Sequence, residues 1–365
     1  MTVDLAVVDR AIGGFGLPGR DLRPVEVSAD GWRAFRSSAT SGRIVGIAVA
    51  AVEAGHLRIT EEQAEELLVW QRDAMVWALT IERRLLTLAE AFEADGVRPL
   101  VLKGPVLAHT VYPDPSWRAF ADLDLLVPTA SWRRALEVLA GLGFERRLPE
   151  PRAGFDERFG KAAVHTNGDG AEIDLHRTLV IGPFGLWARP DELFRRATTF
   201  ELGGRTLRRL DDTALLLHAC MHASLGWRPP LLWTLRDVAQ VAWSGRVDWD
   251  ELADLARRWR LRAVVRHALI TASETLEVSL PVEAGPLVAA EPPRREARAL
   301  ESYVSERRGR GGTELATFRA IPGLGAKVAY ARMLLFPGRA FLAARGRGSL
   351  RRLLVPMRWL GGRRS

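Results

Sequence analysis

The chain has 365 residues, of which 47% are hydrophobic and 26% charged. Those are the proportions of a folded protein with room for a sizeable core and two or three domains. One cysteine, Cys220, excludes an intrachain disulfide. No apolar run reaches the roughly 20 residues of a spanning helix, and MTVDLAVVDRAIGG lacks the basic, apolar pattern of a leader, so a cytoplasmic protein is expected. The net charge of +8 is unevenly placed: no acid follows Glu314, whereas Arg319, Lys327 and nine arginines from Arg332 to Arg364 do, leaving residues 1–314 mildly acidic. The basic residues are almost all arginine. Lysine occurs at Lys103, Lys161 and Lys327, positions where a compact ammonium is worth asking about.

In chain order, the first feature is a glycine-rich opening (Gly13, Gly14, Gly16, Gly19) that follows no strand and leads into no clear helix. It is expected to be a flexible lead-in rather than a phosphate loop. A helix is predicted near Ser41–Gly55. Thr60-Glu61-Glu62-Gln63 forms a capping box, and Leu67, Val69, Trp70, Trp77, Leu85, Leu88 and Phe92 carry a helix to about Asp95, where Gly96 stops it. Arg98–Lys103 reads as a short buried strand broken by Gly104, with Pro105 opening a helix to about Tyr112. Phe120–Val127 is a second strand, and Ser131–Leu142 an amphipathic helix capped by Thr129 or Ser131. Lys161–Thr166 and Ala171–Arg177 flank Asn167-Gly168-Asp169-Gly170, the turn chemistry of a β-hairpin. From Asp191 the pattern is mainly helical, with a short hairpin at Gly203-Gly204, a helix over Asp211–Leu225 and another from Pro229-Pro230 to Trp243.

The expected organisation is a helical region at 1–85, a small catalytic core at 86–180, a helical domain at 181–290 and a basic tail at 291–365. The fold class is α+β: a mixed α/β sheet with flanking helices, and helical regions on both sides of it in the chain.

Alternate residues of a strand share a face, so Asp122 and Asp124 project the same way, about 7 Å apart. Two carboxylates in one space repel unless a cation or proton lies between them, and a hard divalent ion with nucleotide phosphates is the usual occupant. The alternative is an edge strand with both aspartates in water. In the hairpin, Glu172, Asp174 and His176 alternate with Ile173, Leu175 and Arg177 and make one face ionisable. If the turn closes symmetrically, His165 lies opposite Glu172 on that face. His218 and His222, at i and i+4, share a helix face with metal-binding spacing but lack a third ligand nearby. They are read as packed or surface histidines, or as lining a cleft.

Leu102-Lys103-Gly104, a helix ending at Tyr112-Pro113, Arg118 leading into Asp122-Leu123-Asp124-Leu125-Leu126-Val127, and Glu172-Ile173-Asp174-Leu175-His176 together resemble the uncharacterised nucleotidyltransferase family of the polymerase-β-like superfamily. The resemblance implies that Asp122, Asp124 and Asp174 bind Mg²⁺ or Mn²⁺ and are catalytic. It implies that Lys103 and Gly104 position the triphosphate of an NTP, with Arg118 as a second phosphate ligand, unless Arg118 pairs with Asp114 or Asp122. Asp237 resembles an acid that recurs in the family's helical half; otherwise it is a helix-surface ion pair. The implied reaction moves an NMP group to an acceptor and releases pyrophosphate. A small molecule, peptide or glycan precursor suits the acceptor better than RNA. The chain departs from the superfamily at Pro105, which lacks the N–H usual at that turn. A catalytically degenerate nucleotide- or partner-binding module therefore stays open. So does a membrane or RNA adaptor acting through the arginine-rich tail, which suits anionic lipid, at the membrane periphery, or an acidic partner.

Overall fold

The computed structural model describes residues 5–19, 23–37, 41–168, 170, 172–305 and 310–344. Nine strands occur among them. Two are minimal: β1 (Val25–Glu26) pairs in parallel with β2 (Leu57–Arg58). The other seven form one mixed sheet. They are β3 (Leu100–Leu102), β4 (Asp122–Leu126), β5 (Glu145–Arg146), β6 (Ala162–Thr166), β7 (Glu172–His176), β8 (Thr198–Leu202) and β9 (Arg205–Arg209), in the spatial order β5-β6-β7-β4-β3-β9-β8. β4 is the central strand. The edge-strand alternative for its aspartates is thereby excluded: β3 pairs with it antiparallel on one side and β7 parallel on the other.

The helix that precedes the sheet shows how local sequence sets an element. Glu61–Ala94 begins at a complete capping box: Thr60 Oγ1 accepts from the Gln63 N–H (3.3 Å), and the Gln63 side chain accepts from the Thr60 N–H (3.0 Å). Gly96, at φ +70°, takes the left-handed turn after it at no steric cost. Leu67, Ile81, Leu85, Leu88 and Phe92 bury one face against the core.

Three expectations are revised. Leu5–Gly14 is helical, not a flexible lead-in. A Cβ on Gly13 would lie 2.9 Å from a Leu276 methyl, and Arg236 donates to the Gly13 (2.8 Å) and Phe15 (2.6 Å) carbonyls. Gly13 allows close approach to the helical half, and Gly16 takes a left-handed turn beside Trp117. Second, the hairpin register pairs Thr166 with Glu172 and His165 with Ile173. That register is one residue away from the symmetric closure, which turns His165 to the opposite face of the sheet. Third, the elements run across the expected boundaries: one helix spans 61–94, and β8 and β9 extend the sheet to residue 209.

The helical half is anchored by side-chain caps, Asp211 accepting from the Ala214 N–H (2.7 Å) and Asp248 from the Glu251 N–H (2.9 Å). Within the stretch expected as a tail, Arg294–Val304 packs on the body: Glu296 is buried against Arg262 (2.7 Å), and the Tyr303 hydroxyl donates to the Ile181 carbonyl. Residues 345–365, which hold seven of the tail's arginines, lie outside the described residues. Among the described residues, no helix is long and apolar enough to cross a membrane.

Candidate active site

The site forms where β3, β4 and β7 lie side by side. The register sets Asp122 beside Glu172, Asp124 beside Asp174 and Leu126 beside His176, while Leu102 pairs with Asp124 from the other side. Alternation then puts Asp122, Asp124, Asp174 and His176 on one face. Ligand atoms of Asp124, Asp174 and His176 all fall within 4.8 Å of one another. Asp122 is one pleat further along, its side chain 45% exposed and its carboxylate 3.6 Å from Arg43.

Asp124 is buried and fully engaged. Its Oδ2 lies 2.8 Å from the Lys103 ammonium and its Oδ1 2.7 Å from His176 Nε2. Burial alone would push this carboxyl up, but Lys103 and then His176 outweigh it and hold Asp124 well below the usual range. Asp174 is likewise held low against burial, by His176 at 3.1 Å and Lys161 at 3.5 Å. Its Oδ1 is buried with no hydrogen-bond partner. His176 faces acceptors at both nitrogens, the Thr178 carbonyl (3.2 Å) at Nδ1 and the two carboxylates at Nε2. Burial opposes its charge, yet Asp174 and Asp124 raise its pKa, and the imidazolium is the form that satisfies both sides.

Lys103 ends β3 in a conformation that L-residues seldom adopt (φ 47°, ψ −132°). Such a backbone costs about 1–3 kcal/mol and persists where surrounding structure over-determines it. The neighbours doing so are Asp124 at its ammonium and Gly104 behind it, where an added Cβ would lie 3.2 Å from Phe120 Cγ. The helix Gly104–Thr110 starts here with Pro105 in its first turn. Burial would lower the Lys103 ammonium, but Asp124 and Asp122 hold it above the ordinary lysine value.

Arg118 does not pair with Asp114 or Asp122. Its Nε and Nη2 donate to Asp237 (2.7 and 2.8 Å), its guanidinium lies 4.8 Å from the Trp233 ring centroid, and the Tyr112 hydroxyl donates to the same Asp237 (2.8 Å). With every member of this set buried, Arg118 is occupied in tying the entry of β4 to the helix Leu232–Ala242, and the phosphate role expected for it is withdrawn. Asp237 is a buried partner rather than a surface ion pair.

Two site cations carried no motif. Lys161 precedes β6 and reaches Asp174. Arg43, on the helix Ser41–Glu53, reaches Asp122 and lies 5.4 Å from the Trp233 ring. Only the scarcity of lysine hinted at Lys161. Arg43 is one arginine among many, and nothing local distinguishes it. His218 is buried and His222 half-buried in the helix Asp212–Gly226, with His222 against Trp233 (5.2 Å). Burial first, and then the nearby Lys103 charge, push both well below the ordinary histidine value, so they are neutral. Among the described residues, the acids and imidazole gathered within 4.8 Å are those of Asp124, Asp174 and His176, and neither helix histidine belongs to that group.

A mixed sheet with an Asp-x-Asp central strand and an acidic parallel neighbour is a nucleotidyltransferase arrangement. The family model described as uncharacterised nucleotidyltransferase matches residues 28–277, more than half of the chain, and the chain belongs to that family. Among solved structures, the chain is similar to an antigenic nucleotidyltransferase-like protein from Paracoccidioides brasiliensis, at 14% identity and a TM-score of 0.32 over 58% of this chain and 94% of that one. No curated protein matches.

Proposed function

We propose that the protein is a divalent-cation-dependent enzyme that moves an NMP group from an NTP to an acceptor hydroxyl and releases pyrophosphate. The observation that carries this reading is the pairing of Asp124 with Asp174 across β4 and β7, with Asp174 Oδ1 buried and unpartnered. Hard oxygen donors gathered with one such orphaned atom fit Mg²⁺ or Mn²⁺. Asp124 and Asp174 would hold the cation, with Asp122 at the more exposed edge. When bound, it supplies neutralisation of the triphosphate and activation of the attacking hydroxyl.

The protein's own groups supply the rest. Lys103 and Lys161 hold ammonium groups on the two acids, from which they can turn to phosphate oxygens as point charges. Arg43, near the exposed Asp122, adds a guanidinium suited to a terminal phosphate. Asp174, ionised and only partly bonded, is the carboxylate placed to accept the acceptor's proton. His176 holds both acids in one geometry. The acceptor is a small molecule, peptide or glycan precursor.

A second reading, nucleotide binding without turnover, is favoured by one feature: both oxygens of Asp124 are engaged by Lys103 and His176, beside a Pro105 that has no N–H. Incubation with each labelled NTP, Mg²⁺ and cell extract separates the two. Transfer of label with pyrophosphate release, abolished by Asp124→Asn and by Asp174→Asn, supports the enzyme. Binding without release supports the second reading. Release that survives both substitutions removes the assigned site, and absence of any NTP- or Mg²⁺-dependent thermal shift removes both readings.

A further inference from the structure

Among the described residues, one face of the long helix Glu61–Ala94 is left uncovered. Trp77 donates its indole N–H to the Ala121 carbonyl (3.2 Å) and seats the helix beside β4. On the side away from Trp77, Leu68 (52% exposed), Met75 (43%) and Leu79 (60%) stand in solvent, while the exposed Val69 and Val76 are turned about 100° from Leu68 and Met75. At about 100° per residue, Leu68, Met75 and Leu79 fall within about 40° of one another. This is a narrow seam whose spacings of seven and four residues are those of a helix that pairs with another helix. An exposed apolar seam of this kind, with the stem of Arg72 between Leu68 and Met75, marks a contact surface.

The charges around the seam identify the occupant. Exposed Glu61, Glu62 and Glu65 stand at its start and exposed Arg83 at its end, with Arg72 and Asp73 in the middle. Laid against a second copy in the same direction, the seam would set Glu65 on Glu65 and Arg83 on Arg83, which repel. Turned end for end about an axis near Asp73, it matches itself: Leu68 meets Leu79 of the second copy, Met75 meets the aliphatic stem of Arg72, and Glu65 meets Arg83. Each contact is made twice, as a two-fold interface requires. We propose that the chain forms an antiparallel homodimer through the Glu61–Arg83 face of this helix, a seam about 33 Å long. The opposite face of the same helix lies against β4, so the dimer would brace the strand that carries Asp122 and Asp124.

Sedimentation equilibrium of the full chain should give twice the 40.4 kDa of one chain. Leu79→Glu, at an exposed position, should give a monomer with unchanged circular dichroism. Glu65→Arg should weaken the dimer about tenfold, and adding Arg83→Glu should restore it, a rescue that a folding defect would not produce. Direction is read by cross-linking: Leu68→Cys with Leu79→Cys should oxidise to a covalent dimer, whereas Leu68→Cys alone should not. The buried Cys220 contributes no background. A monomeric wild type, a dimer untouched by Leu79→Glu, a failed charge-swap rescue, or cross-linking through Leu68→Cys alone would overturn the proposal.

Discussion

Removing the Asp237 carboxylate tests whether Arg118 is structural. Asp237 accepts two hydrogen bonds from Arg118 and one from the Tyr112 hydroxyl, at 2.7, 2.8 and 2.8 Å, and all three residues are buried. In Asp237→Ala the Arg118 guanidinium stays buried without its counter-charge, a change that typically costs about 3–5 kcal/mol. The Trp233 face at 4.8 Å is present before and after the substitution and does not replace the lost carboxylate. A loss of about 3 kcal/mol, read from urea midpoints at constant slope, is the expected result. Replacing both partners, Arg118→Met with Asp237→Leu, removes the stranded charge as well, and the double variant should be more stable than Asp237→Ala by at least about 2 kcal/mol. An Asp237→Ala cost below about 1 kcal/mol would refute the reasoning. So would a double variant no better than the sum of the single changes. Arg118→Met that left stability intact while abolishing NTP binding would return the arginine to the phosphate role.

Three more outcomes follow from the packing. A Cβ on Gly46 would lie 1.8 Å from the Ser116 carbonyl oxygen; this is backbone against backbone, so Gly46→Ala should cost about 1–3 kcal/mol in thermal or urea unfolding, and a change within about 0.5 kcal/mol would show that the helix Ser41–Glu53 is free to shift. Burial raises the Asp9 carboxyl to about 6 from an ordinary value of 3.8, and its Oδ1 is buried without a partner. The folded state therefore binds more protons than the unfolded state between those values, so stability falls as pH rises through the window and the cost is complete above about pH 6; discounted for partial exposure, Asp9→Asn should gain about 1 kcal/mol at pH 7 and nothing at pH 3.5, and an equal effect at both pH values would contradict the burial argument. Burial also raises the Cys220 thiol far above its ordinary value, so native protein should resist alkylation while unfolded protein reacts at one thiol; rapid native labelling by mass spectrometry would place Cys220 elsewhere.

What the sequence determined by itself was whatever depends on neighbours along the chain. The capping box at Thr60, the strand before Gly104 and the helix opened by Pro105, the hairpins at Asn167–Gly170 and Gly203-Gly204, and the shared face of Asp122 and Asp124 follow from turn chemistry and the two-residue strand period. The motif residues from Lys103 to His176 sufficed to suggest the family. What only the tertiary structure decided depends on distance in space. The hairpin register, a shift of one residue, sent His165 to the other face while leaving Asp174 and His176 beside β4. Arg118 and Asp237, 119 residues apart, have no local reason to pair; burial makes each require the other. Arg43 and Lys161 reach the acids from separate elements, because a concentration of carboxylates attracts cations from wherever the fold brings them close. The glycines of the opening read locally as freedom. In the fold Gly13 permits the close approach that lets Arg236 find its carbonyl acceptors.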